Sequence, residues 1–216
     1  MHLIDLGLVD YRMALEEQRR AHAKVAAREL SAALIVCSHY PVITIGRSAK
    51  PGSLLLTKRE YAGRGIGVIE ADRGGDVTYH GPGQVTAYPI FPMAAFGYDL
   101  HAYLRWLESA VISVLDEQGI TACRMAGSTG VWVAERKIAS IGIAVKRWVS
   151  FHGVSIVMKQ SELENFSLIR PCGSNTPMTS IETELRRSVS RRSITSSLIR
   201  SLSYDHCQAA ASGRGY

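Results

Sequence analysis

Cys172 stands between Pro171 and Gly173, just after the apolar pair Leu168-Ile169. Two residues that break regular structure put this cysteine on a turn, where its sulfur can be exposed, and an exposed thiolate is a nucleophile. Cys37, Cys123 and Cys207 are scattered, with no C-x-x-C pair. Cys37 and Cys123 lie within or beside apolar stretches and are expected to behave as small buried hydrophobes. A free cysteine titrates near about 8.5, so a catalytic one needs a cation or base beside it. Lys137, expected at the turn of a central hairpin, is one candidate activator; His80 and His152 are others.

A second constellation is Arg73-Gly-Gly-Asp-Val-Thr-Tyr-His-Gly-Pro-Gly-Gln84, with four glycines and a proline in twelve residues. Glycine lets the backbone approach a ligand closely. Arg73, His80 and Gln84 add a cation, an imidazole and an amide, so the segment is expected to be a binding loop between two strands. No Gly-Lys-Ser/Thr follows it, and a strand rather than a helix is expected next. It is therefore neither a phosphate-binding P-loop nor a dinucleotide fingerprint.

The elements that must hold these residues can be read from periodicity and caps. A helix is expected from Asp10 to about Glu29, rich in Ala, Leu, Glu, Gln and Arg. Ser31–Ser38 and Pro41–Ile45 read as short buried strands. Thr57-Lys-Arg-Glu60 has capping-box spacing. Gly67–Ala71 and Val85–Phe91 read as strands, and Asp99 to about Glu117 as a helix stopping at Gly119. Gly130–Ala134 and Ile138–Val145 form a hairpin around Glu135-Arg136-Lys137, and Trp148–Met158 supplies a further strand. Hairpins between separate helices favour α+β over a doubly wound sheet.

The 216 residues are 46% hydrophobic and 20% charged, a globular composition. That length suits one domain, expected over residues 1–208, with 209–216 a frayed tail. No stretch approaches the roughly 18 apolar residues of a membrane span, and acidic residues interrupt the N-terminal segment, so neither a membrane anchor nor a signal peptide is expected. The expected setting is the cytoplasm, with reduced thiols and no metal site. The formal net charge of +6 favours acidic partners. Arg186, Arg187, Arg191, Arg192 and Arg200 are read as the solvated face of a terminal helix. Aromatic residues are not interleaved with them, so nucleic acid is not the expected partner.

Three blocks together resemble the lipoyl(octanoyl) transferases. They are Arg73-Gly-Gly-x-Val-Thr-Tyr-His-Gly-Pro-Gly-Gln84 with Tyr88-Pro-Ile; Gly130-Val-Trp-Val through Lys137-Ile-Ala-Ser-Ile-Gly-Ile, with Arg147-Trp and His152-Gly153; and Pro171-Cys-Gly with Thr179-Ser-Ile. Ala14-Leu15, Gln18 and the His39–Arg47 segment extend the match. The chain departs from the family pattern in three places. It lacks an asparagine within His152–Val157, has Cys37-Ser38 before His39 where an acidic residue is common, and has Ser174 where an apolar residue is usual.

The resemblance implies an α+β domain of mixed sheets flanked by helices, like biotin and lipoate protein ligases. It implies Cys172 as the acyl-carrying nucleophile and Lys137 as its acid/base partner, with no cofactor and no ATP. Substrate-binding roles carry over to Arg73, Gly74, Gly75, Tyr79, His80, Gly81, Gly83, Ser140, Ile141, Gly142, His152 and Gly153. Backbone amides near Cys172 or Gly74-Gly75 are expected to hold the developing oxyanion. The implied donor is octanoyl-acyl-carrier protein. The implied acceptors are apo lipoyl domains of 2-oxoacid dehydrogenases and the glycine cleavage H protein, served by a monomer. An ATP-dependent ligase on the same fold and a non-catalytic carrier-binding scaffold are the rival readings.

Overall fold

The computed structural model of the chain describes residues 1–171 and 176–203. Its centre is a seven-stranded mixed sheet. In chain order it comprises β1 (His2–Val9), β2 (Ala33–His39), β6 (Gln84–Ile90), β7 (Cys123–Met125), β8 (Ser128–Val133), β9 (Arg136–Lys146) and β10 (Val149–Val157). Their spatial order is β1-β2-β6-β10-β9-β8-β7, with β1 parallel to β2 and the remaining pairs antiparallel. β3 (Val42–Ile45), β4 (Gly67–Glu70) and β5 (Val77–His80) form a second sheet in the order β4-β3-β5.

Helix α1 (Tyr11–Ala26) opens at Asp10, whose carboxylate accepts from Arg12 N–H. Such a cap satisfies a backbone donor that the helix cannot. Ala14, Ala21 and Val25 bury its inner stripe against Ile35, Cys37 and Ile90. The opposite face of the large sheet is covered by α3 (Leu100–Asp116), capped by Asp99, and α6 (Arg191–Ser201). Leu107, Val111 and Leu115 of α3 meet Ile194 and Leu198 of α6 over Val85, Val131 and Ile156. Burying each such side chain contributes roughly 1.5–3 kcal/mol. The capping box at Thr57 and Glu60 opens α2 (Lys58–Gly63), whose Tyr61 enters the core of the small sheet. Two short helices, α4 (Leu163–Phe166) and α5 (Ile181–Leu185), complete the described chain. The architecture is the expected α+β one.

Several local expectations change. Val77–His80 is strand β5, not part of a loop, because it pairs antiparallel with β3. The hairpin between β8 and β9 turns at Ala134-Glu135, with Ala134 at φ 50°, so Lys137 lies inside β9 opposite Trp132. Cys123 is exposed on the edge strand β7 rather than buried, whereas Cys37 is buried. Arg191 and Arg200 of the arginine cluster are tied down, to Asp5 at 2.8 Å and Glu117 at 2.9 Å. Among the described residues no helix is long and apolar enough to cross a membrane. Cys172, Cys207 and the 209–216 segment lie outside the described residues.

Candidate active site

A cavity of about 760 Å³ opens between the two sheets, within the size range of small-molecule sites. β5 contributes Val77, Thr78 and His80; β6 contributes Thr86 and Tyr88; β9 contributes Lys137, Ser140, Ile141 and Gly142; β10 contributes His152 through Ser155. Leu163, Phe166, Ile169 and Met178 add apolar wall, and Arg73 and Gly75 enter from the segment before β5.

Of the residues singled out from sequence, Arg73, Gly75, His80, Lys137, Ser140, Ile141, Gly142, His152 and Gly153 line this one cavity. Gly74, Tyr79, Gly81 and Gly83 lie outside its lining. Gly74 N–H donates to Ile143 O at 2.8 Å, so it is already engaged and is not available to an oxyanion. Tyr79 is buried in the small-sheet core. Gly81 and Gly83 make room for the Glu162 carboxylate, which accepts from Gly83 N–H at 2.7 Å; a Cβ on either glycine would overlap it.

Arg73 is 7% exposed. Its guanidinium donates to Thr44 Oγ1, Thr44 O and Gly74 O over 2.7–3.0 Å. Burial pulls its pKa below the usual arginine value, although it remains a cation. Beside it sit three buried histidines. His39 meets Tyr88 Oη at 2.7 Å and Val9 O at 3.2 Å, and burial lowers its pKa to about 4. His80 packs edge-on against His39, with ring centroids 5.6 Å apart, and stacks on Tyr11 at 6.0 Å. Burial holds its pKa well below the ordinary range, with the Arg73 charge adding to the shift. His152 has a left-handed backbone, φ 58°, fixed by Gln18 Oε1, which accepts from its N–H at 2.8 Å. Its Nε2 meets Asp72 Oδ1 at 2.8 Å; burial still lowers its pKa, against the pull of that carboxylate. Burial thus disfavours the charged form of all three imidazoles, while Arg73 brings a guanidinium to the lining.

Lys137 is held through its backbone. Its N–H donates to Pro177 O at 2.8 Å, and Thr179 N–H donates to its carbonyl at 2.9 Å. Its Nζ lies 5.4 Å from the centroid of the Trp132 ring, a cation–π distance. Gly130, at φ 133°, clears the side chain's path: a Cβ there would overlap Lys137 Cε and come within 2.7 Å of Ala139 O. Buried Glu108 fixes Gly130 from the helix side by accepting its N–H at 3.2 Å, and Glu108 is itself held by Arg105 and Arg124. Pro171 and Thr176, the described residues on either side of 172–175, both line the cavity, as does Lys137. Cys172 itself lies outside the described residues.

Residues not foreseen from sequence as part of the lining include Tyr11, Thr86, Tyr88, Trp132 and Met178. Ser155, within the His152–Val157 stretch, donates to Gln84 Oε1 at 2.7 Å and sits 3.0 Å from Thr86 Oγ1. Trp132 Nε1, His80 Nδ1 and His152 Nδ1 are buried and have no hydrogen-bond partner among the described residues. They are groups with which a polar head group could bond. No three His, Cys, Asp or Glu side chains among the described residues are grouped to hold a metal ion.

The profile of the lipoyl protein ligase A/B catalytic domain matches residues 10–203. The chain belongs to this family. One curated relative, the octanoyltransferase of Geotalea uraniireducens strain Rf4, is 42% identical over 186 residues, covering 86% of this chain and 83% of its own. Further relatives of the same name share 38–45% identity. Among solved structures, lipoate-protein ligase A bound with ATP superposes with a TM-score of 0.73 at 16% identity, over 94% of this chain and 84% of that one. The Aquifex aeolicus biotin protein ligase in complex with biotin and ATP gives 0.61 at 14%, over 98% and 72%. The fold is therefore that of the biotin and lipoate protein ligases, as the motifs implied. Lys137 enters the cavity from β9 and Arg73 from the segment between β4 and β5.

Proposed function

We propose that this chain is an octanoyltransferase of protein lipoylation, moving an octanoyl group from octanoyl-acyl-carrier protein to a lysine of apo lipoyl domains by way of Cys172. The observation that carries this reading is the cavity itself. It presents the Lys137 side chain, threaded past Gly130, to a space bounded by Pro171 and Thr176. The relatives named octanoyltransferase support the acyl group and the reaction class.

In the first half-reaction the Cys172 thiolate attacks the thioester carbonyl. The carbon–sulfur bond to the carrier breaks, and the departing thiolate takes a proton from the Lys137 ammonium. In the second, a target lysine amine attacks the Cys172 thioester, neutral Lys137 accepts the amine's proton, and Cys172 leaves as thiolate. Protons balance over the cycle. Thioester exchange is nearly isoenergetic and aminolysis is downhill, so neither half needs ATP. Arg73, His80 and His152, with Gly75, Ser140, Ile141, Gly142 and Gly153, bound the acyl and thioester positions. We read Tyr79, Gly74, Gly81 and Gly83 as supports of that wall. The acceptors are lipoyl domains of 2-oxoacid dehydrogenases and the glycine cleavage H protein. The enzyme works as a cytoplasmic monomer, with residues 1–208 as one domain.

Incubation with octanoyl-acyl-carrier protein and an apo lipoyl domain, without nucleotide, tests the reading. An octanoylated domain is expected. Transfer only from free octanoate and ATP, with pyrophosphate release, would assign the chain to the ligase reaction instead.

A further inference from the structure

A second concave surface of about 270 Å³ lies outside the acyl cavity, between α1 and the β9–β10 turn. Arg19, His22, Lys146 and Arg147 line it, and Asp72 is the only carboxylate among the described residues of its lining. Asp72 is already engaged by His152, and among the described residues none of Arg19, Lys146 and Arg147 has a carboxylate within 4.0 Å. The same turn carries Trp148, 58% exposed, packed edge-on against Tyr98, 54% exposed, with ring centroids 5.0 Å apart. Tyr98, Arg147 and Trp148 all have left-handed backbone, at φ 60°, 50° and 57°. For non-glycine residues that conformation is strained and persists only where surrounding structure imposes it. Here the turn is pinned by Met93 N–H donating to Trp148 O at 2.8 Å. An exposed aromatic anchor flanked by cations that make no close ion pair among the described residues has the composition of a protein-docking face for an acidic partner.

Resting on the acyl-transfer reading above, we propose that this face, built from Arg19, Lys146, Arg147, Trp148 and Tyr98, docks the acidic acyl-carrier protein that donates the acyl group. Reach separates donor from acceptor. The groove and the cavity share a wall at the Asp72–His152 pair, with Asp72 on the groove side and His152 on the cavity side. A partner seated here stands beside the cavity, not over it. A carrier whose thioester rides on a long flexible prosthetic arm can dock beside the cavity and still reach in. A lipoyl-domain lysine has only its own four-carbon stem and must dock over the opening.

The test compares octanoyl-acyl-carrier protein with a small octanoyl thioester as donors to the same apo lipoyl domain. The Arg19→Glu/Lys146→Glu double variant is expected to lower kcat/KM for the carrier-linked donor by about tenfold or more, since rim charges act on association. Turnover of the small thioester and KM for the lipoyl domain should stay at the wild-type values. Trp148→Ala should also raise KM for the carrier. Should the double variant fail to fold, the wild-type enzyme decides: its kcat/KM for the carrier must fall as salt rises while that for the small thioester does not. Unchanged carrier kinetics in the folded variants, or salt-independent carrier kinetics, overturn the proposal. So does an effect confined to the lipoyl domain or to binding of a short duplex DNA. Failure of the wild-type enzyme to transfer from either donor would instead overturn the acyl-transfer reading.

Discussion

The side chain of Lys137 crosses β8 through the space left by the missing Cβ of Gly130. Gly130→Ala therefore puts a methyl group where Lys137 Cε lies and imposes φ 133° on a residue that resists it. The variant should lose roughly 1–3 kcal/mol of stability, from strain and overpacking together. Its acyl transfer should fall towards that of Lys137→Ala, which loses the roughly 10²–10⁴-fold worth of acid/base catalysis. Thermal melts and single-turnover rates of both half-reactions separate the two effects. A folded Gly130→Ala enzyme with wild-type rates would show that the lysine's path is immaterial.

Glu108 is the buried anchor behind that arrangement. At 1% exposure it accepts from Gly130 N–H and from Arg105 and Arg124, which are themselves well exposed. Glu108→Ala leaves the glycine amide without its partner but lets both arginines return to water. The expected loss is about 1–3 kcal/mol, read as a lower urea midpoint with an unchanged m-value. A variant as stable as wild type would mean that β8 holds Gly130 unaided.

Stability should fall on acidification through the histidine range. His39, His80 and His152 all have pKa values lowered by burial, His39 to about 4. The unfolded chain takes up these protons below the ordinary histidine value of about 6.5, while the folded one does not. The stabilisation is therefore complete above pH about 6.5 and declines as pH falls towards 4. His39 alone accounts for roughly 3 kcal/mol of that decline. Urea midpoints between pH 4 and 7.5 should drop steeply, and His39→Gln should flatten the profile. A midpoint constant over that range would contradict the buried, neutral assignment.

Much of the fold was legible because its signals are local. Asp10, Thr57 and Asp99 announce helices through their caps, and the apolar stretches of β2, β6 and β10 carry their own patterns. β1 was not foreseen: Asp5 interrupts its apolar residues, and what makes it a strand is parallel pairing with β2, about thirty residues on. β5 was hidden inside the glycine-rich segment for the same reason, since its partner β3 lies some thirty-five residues earlier. The central turn was expected at Glu135-Arg136-Lys137, one or two residues too late, because nothing in these residue types reveals a hairpin closing at Ala134-Glu135. The site divides in the same way. The motif residues Arg73, His80, Lys137 and His152 were recognisable, but only tertiary packing brings Tyr11, Thr86, Trp132 and Ser155 to one cavity.

The central claim is that Cys172 carries the acyl group, and intact-mass spectrometry tests it most directly. After incubation with octanoyl-acyl-carrier protein and no acceptor, the protein should gain the mass of one octanoyl group. Hydroxylamine should remove that group, peptide mapping should find it on Cys172, and an apo lipoyl domain should discharge it. An unmodified protein that still octanoylates the lipoyl domain, or a Cys172→Ala variant with full transfer activity, would contradict the covalent mechanism.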